Sequence, residues 1–209
     1  MIRILIADDH AVVRKGLIQI LLEEYPTAKI VEVEDAEQLI HKAVTEEWEV
    51  VLCDLSMPGR SGLDALHQLK QVSPRLPVLI MSMHPEDQYA LRVLKAGASG
   101  YLGKNTIHDD LIKAIRTVLL GKKFITPSIA EKLAEAYNVD SELLLHETLS
   151  DREFDVLKLL ASGKSVSEIA EQLSLSVTTV STYRSRIMKK MSMHSNADLT
   201  RYALEKGLI

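Results

Sequence analysis

A chain of 209 residues with 46% hydrophobic and 26% charged residues has the makeup of an ordinary globular protein of one large domain or two small ones. No apolar run approaches the roughly 20 residues needed to span a bilayer, MIRILIADDH lacks the apolar region of a secretion signal, and the single cysteine, Cys53, excludes an internal disulfide, so the cytoplasm is expected. The net charge of −4 is unevenly spread: residues 1–121 carry 13 basic against 17 acidic side chains, residues 150–209 carry 9 against 7, and within 177–191 Arg184, Arg186, Lys189 and Lys190 stand with no acid, which points to a polyanion partner for that segment.

In chain order, residues 2–7 form a short apolar run expected as a buried strand, and 12–22 place apolar residues at helical spacing. The alternation repeats as strand 30–33, helix 36–44, strand 50–53, helix 63–72, strand 77–81, helix 87–94, strand 100–102 and helix 107–120. Five strand-helix pairs with near-continuous apolar strands imply an α/β doubly wound, five-stranded parallel sheet, buried on both faces, in the order 2-1-3-4-5. Pro127 opens a further helix to about Tyr137. The polar stretch after it, broken by the apolar cluster 143–145, reads as linker. From Ser150 the pattern is purely helical. Ser150 and Glu153 form a capping-box signature, a second helix starts at Ser165 or Ser167, a break falls at 174–176, and helices follow over 177–191 and from Asn196 to Lys206. The second part is therefore a small all-α four-helix domain. The expected boundaries are 1–121, a partly helical linker over 122–147, and 148–209.

Ligands of an open parallel sheet bind at the carboxyl ends of its strands. Asp8 and Asp9 end the first strand, Asp54 the third and Ser82 the fourth, and Lys104 follows the fifth. Three convergent carboxylates repel unless a cation joins them, and an all-oxygen donor set suits Mg²⁺. A carboxylate beside that ion is a nucleophile toward phosphorus, with Lys104 offsetting phosphoryl charge and Ser82 bonding a phosphoryl oxygen. The plain alternative is that strand-end aspartates are turn formers. The seven histidines lack H-x-x-x-H or H-E-x-x-H spacing, and no glycine-rich nucleotide loop is present.

The motifs IADDH (6–10), CDLSMPGRSG (53–62), VLIMSM (78–83) and AGASGYLGKN (96–105) resemble the receiver domain of two-component response regulators. The resemblance implies a flavodoxin-like fold with Asp54 as phosphoacceptor. It implies Mg²⁺ held by Asp8, Asp9, Asp54 and the backbone carbonyl of Ser56. It makes Ser82 and Tyr101 a switch pair, in which Ser82 moves toward the phosphoryl group and Tyr101 turns inward behind it, and Lys104 the phosphoryl-binding base. Met83 and Gly103 depart from the family pattern. Met83 is expected to narrow access to Asp54, and Gly103 to loosen the Lys104 loop.

Residues 166–191 have a helix-turn-helix layout whose second helix faces outward with Thr178, Ser181, Thr182, Ser185, Arg186 and Lys189. A plain packing module with a polar face is the alternative. Residues 148–209 are similar to the LuxR-type effector domain, which makes the whole chain similar to NarL-like response regulators. That resemblance implies DNA contact through the residues just named, dimerisation through the last helix, from Asn196 to Lys206, a partner histidine kinase, and promoter DNA as target. RNA polymerase is a further partner it allows. No enzyme activity is implied beyond slow self-catalysed phosphoryl transfer. Two rivals stand beside this reading. One is a Mg²⁺-dependent phosphohydrolase using Asp54, although Ser56 stands where a second acid would be needed. The other is a regulator that keeps the site but acts without phosphate.

Overall fold

Five strands, Arg3–Ala7 (β1), Lys29–Val33 (β2), Val50–Asp54 (β3), Val78–Ser82 (β4) and Gly100–Gly103 (β5), pair in parallel in the order β2-β1-β3-β4-β5. The computed structural model describes residues 1–138 and 145–209. The central strands β3 and β4 are buried at every position, because helices cover both faces. These helices are Ala11–Glu24 (α1), Ala36–Thr45 (α2), Gly62–Val72 (α3), Glu86–Lys95 (α4) and Ile107–Leu119 (α5). Alternation along the strands divides the apolar core in two. Ile4, Ile6, Val50 and Leu52 pack with Leu17 and Leu21 of α1 and with Leu111 and Ile115 of α5.

Two compact units divide the chain, Met1–Asn138 and Val139–Ile209. The stretch 122–147, expected as linker, is built in part into the first unit. Lys123 Nζ donates to the Leu94 carbonyl at the end of α4 (3.3 Å), and Phe124 bridges to Gly100 along β5. Thr126 Oγ1 donates to Glu86 at the start of α4. The helix Pro127–Asn138 (α6) follows, packed on α4 with Ile129 buried. Leu143 and Leu144 of the expected apolar cluster lie outside the described residues.

In the second unit a 3₁₀ turn at Leu145–Thr148 leads into four helices, Asp151–Ala161 (α7), Val166–Gln172 (α8), Val177–Met191 (α9) and Asn196–Glu205 (α10). Capping boxes start three of them. Ser150 pairs with Glu153, Ser165 with Glu168 and Ser195 with Asp198, each serine accepting a backbone N–H that would otherwise be orphaned. Phe154, Leu157, Ile169, Val180, Ile187 and Leu199 fill the core between them.

Candidate functional site

Topology places the carboxyl ends of β1 and β3 side by side, Ala7 facing Cys53 in register, so Asp8 and Asp54 meet. Both are buried, at 0% and 2% exposure. Lys104, just beyond β5, spans them, with Nζ 2.7 Å from Asp8 Oδ2 and 2.9 Å from Asp54 Oδ2. The backbone N–H of Lys104 donates to the Ser82 carbonyl (2.8 Å), which fixes the loop against β4.

Burial pushes the Asp54 carboxyl above its ordinary range, and the Lys104 ammonium and the Ser56 N–H only partly offset this. Burial alone would lower the Lys104 ammonium, but the two carboxylates hold it above its usual value. Asp8 Oδ1 accepts the His10 N–H (2.8 Å), whereas the buried Asp8 Oδ2 lies close to Lys104 without hydrogen-bond alignment. Three carboxylates faced by one ammonium therefore leave negative charge and acceptor capacity unspent. One ligand atom from each of Asp8, Asp9, His10 and Asp54 lies within 4.8 Å of the others. This donor set fits a divalent cation, and the oxygens of the three aspartates suit a hard one.

Arg14 supports the acidic loop from below. It is 5% exposed on α1, and its Nη1 donates to the Asp8 carbonyl (2.6 Å), while Nε and Nη2 pair with Glu32 and Glu34 beside β2 (both 2.8 Å). Gly62, the first residue of α3, packs against the Asp54 carbonyl so closely that a Cβ there would lie 2.0 Å from it. Gly62 closes the motif CDLSMPGRSG and Arg14 lies in none of the quoted motifs, and neither contact was read from the sequence, because each joins residues through the folded backbone.

Ser82 Oγ accepts the His84 N–H (3.0 Å), and the Tyr101 hydroxyl donates to the His84 carbonyl (2.7 Å). The His84 ring stacks on Tyr89 and lies 3.3 Å from Ser56 Oγ through Nε2. Tyr101 is 1% exposed, so its ring is already inward with Ser82 still bonded to His84. Met83, next to Ser82, is 65% exposed. Gly103 pairs with Ser82 in the sheet, and its carbonyl accepts the Thr106 N–H (3.1 Å).

In the second unit, α8 and α9 are joined by a four-residue turn. Ser174 takes φ 53°, and the N–H groups of Ser174 and Leu175 close onto the carbonyls of Glu171 and Ala170 (3.2 and 2.8 Å). Ser176 then caps α9 by accepting the Thr179 N–H. With Val180, Ile187 and Met191 buried, α9 leaves Thr178, Ser181, Thr182, Ser185, Arg186 and Lys189 exposed. Fifteen residues make a rod of about 22 Å, enough to lie along a major groove. Two of the four basic residues are engaged inside the unit. Lys190 Nζ donates to Glu153 (2.6 Å) and to the Thr148 carbonyl, and Arg184 Nε donates to Asn196 (2.9 Å).

Comparison with known proteins matches the response regulator receiver domain to residues 4–116 and the bacterial regulatory proteins of the luxR family to residues 147–203. The chain is similar to the response regulator UvrY of Escherichia coli (strain K12), 35% identical and covering 100% of this chain and 96% of UvrY. It is also similar to the oxygen regulatory protein NreC of Staphylococcus carnosus, 36% identical over 99% of each. Among solved structures it is similar to RcsB from Salmonella enterica serovar Typhimurium bound to promoter rprA in the presence of phosphomimetic BeF3−, with a TM-score of 0.64 and 28% identity over 97% of this chain and 98% of that one. An RcsB–DNA complex gives a TM-score of 0.59 at 30% identity over 96% of each. No helix among the described residues is long and apolar enough to cross a membrane.

Proposed function

The chain belongs to the two-component response regulators that join a receiver domain to a LuxR-type DNA-binding domain, and on that premise we propose that Asp54 accepts a phosphoryl group from a histidine kinase and thereby controls binding of promoter DNA by α9. The receiver spans 1–121, the linker 122–147 and the DNA-binding domain 148–209. The observation that carries the reading is the buried Asp8–Lys104–Asp54 constellation, a nucleophile and a cation held at the switch edge of a doubly wound sheet.

Asp8, Asp9, Asp54 and the Ser56 carbonyl would hold a Mg²⁺ ion, which would supply charge stabilisation for the phosphoryl oxygens. Asp54 forms the new P–O bond as the P–N bond to the kinase histidine breaks and the electron pair leaves with the imidazole. Lys104 turns its ammonium from the carboxylates to the added phosphoryl oxygens. The Ser82 hydroxyl donates to the phosphoryl group. Its approach pulls on the His84 N–H, and through the His84 carbonyl on Tyr101, so the loop before α4 registers the charge. Since Tyr101 is already inward, His84 rather than a flip of the ring carries the change.

In the second domain Arg186 and Lys189 neutralise phosphates, while Thr178, Ser181, Thr182 and Ser185 approach bases and backbone. Two copies meet through α10, whose Leu204 is 62% exposed, and occupy two half-sites. The protein works in the cytoplasm, where its kinase's phosphorylated histidine and the promoter are both reached, and RNA polymerase is a partner at the promoter. It acts as a phosphoacceptor rather than as a turnover enzyme.

The test is selection of bound DNA from a random pool with and without a small phosphodonor, followed by binding measurements on the selected site. Wild type should trap labelled phosphate and bind more tightly with the donor. Asp54→Ala should trap none and bind equally with and without it. Equal stimulation of Asp54→Ala would sink the switch.

A further inference from the structure

His10 starts α1 with its backbone alone. Its φ of −95° and ψ of 104° are those of a helix-leading residue, but its side chain makes no capping bond. The ring instead lies against the acidic cluster, with Nδ1 2.7 Å from Asp9 Oδ1 and 3.4 Å from Asp8 Oδ1. Ligands bound at about 2.0–2.2 Å to one ion stand roughly 3 to 4.4 Å apart around it. The ligand atoms of Asp8, Asp9, His10 and Asp54 already lie within 4.8 Å of one another, which is close to that spacing. The buried Asp8 Oδ2 next to them has the Lys104 ammonium at 2.7 Å but no aligned hydrogen bond.

We propose that His10 Nδ1 is a further protein ligand of the ion at this site, so that the site holds Mn²⁺ in a way it does not hold Mg²⁺. The proposal rests on the reading of Asp8, Asp9 and Asp54 as a metal site and adds one nitrogen to it. Both ions favour oxygen donors, but Mg²⁺ keeps much of its water, whereas Mn²⁺, a first-row transition ion that gives up water more readily, takes an imidazole nitrogen beside its oxygens. No backbone motion is required. The ring is 65% exposed on its side-chain atoms and already beside the cluster, so rotation about its two side-chain bonds exchanges the Asp9 contact for the ion.

The test uses the full chain. Calorimetric titration with MgCl₂ and MnCl₂ should show His10→Ala weakening Mn²⁺ binding about tenfold while Mg²⁺ affinity changes by less than about twofold. Electron spin echoes of bound Mn²⁺ should carry imidazole nitrogen modulation in wild type and lose it in His10→Ala. The ring caps nothing and its close contact is with the partly exposed Asp9, which contributes little to the fold, so the metal-free melting temperature should change little, and Asp8→Asn should weaken both ions. Equal loss of Mg²⁺ and Mn²⁺ affinity in His10→Ala, or a wild-type echo without imidazole nitrogen, overturns His10 as a ligand and leaves the acidic site standing. Undiminished binding of both ions by Asp8→Asn overturns the acidic site and this inference together.

Discussion

Gly62 decides where Asp54 can sit. A methyl group there would meet the Asp54 carbonyl oxygen at 2.0 Å and its carbon at 2.8 Å, and both are backbone atoms that cannot swing away. Gly62→Ala should therefore shift β3 against α3, cost about 2 kcal/mol in denaturant unfolding and slow phosphate incorporation at Asp54. Wild-type stability together with a wild-type incorporation rate would remove this packing role. The acidic residues were legible in the sequence because strand ends in a parallel sheet meet at one edge, which turns distant positions such as Asp8, Asp54 and Lys104 into neighbours. His10 was not, because its partners are carboxylates rather than a second histidine at helical spacing. Arg14 and Gly62 were not, because both act on main-chain atoms.

At the scale of the element, helix starts were readable and so were several ends, since the helices expected over 63–72 and 177–191 end there and the expected break at 174–176 follows α8. Ser150 with Glu153 announces α7, and the structure contains that box. What the expected break at 174–176 did not reveal is its backbone, because Ser174 takes φ 53°, where glycine is the usual residue. A left-handed conformation costs a non-glycine residue about 1 kcal/mol or more, so Ser174→Gly should stabilise the chain by about 1 kcal/mol, read as a higher denaturant midpoint. A lower midpoint would mean that the serine contributes a bond beyond its conformation. The Glu153–Lys190 pair ties α7 to α9. Burial alone would raise Glu153, yet Lys190 and the Ser150 cap hold it below the usual value of 4.5. A lowered carboxyl stabilises the fold above its unfolded pKa and loses that contribution as pH falls through the folded value. Glu153→Gln should thus cost about 2 kcal/mol at pH 7. The gap from wild type, followed by the helical circular dichroism signal in denaturant, should close as pH drops below about 4.5. A gap independent of pH would assign the effect to packing.

For the molecule as a whole, the strict strand-helix alternation made the sheet order readable, since right-handed crossovers leave few ways to wind it. The limit of the first unit was less readable. Residues 122–126 are short of apolar pattern, and their bonds to Leu94, Gly100 and Glu86 reach across 24 to 40 positions that sequence does not connect. The basic helix was legible as a total but not in its division of labour. Arg184 and Lys190 are engaged within the fold, whereas Arg186 and Lys189 stand exposed on α9. Replacing either of these two by alanine should lower the slope of log affinity against log salt by about 1, and Lys190→Ala should leave that slope nearly unchanged. A steeper loss from Lys190 than from Arg186 would reverse the assignment.

The stretch from Lys123 to Thr126 is fastened near both ends of α4, at the carbonyl of Leu94 and at Glu86. A helix sewn at both hems to the cord that leaves it cannot slide without tugging that cord. A shift of α4 would therefore strain the bonds that hold the chain just ahead of α6.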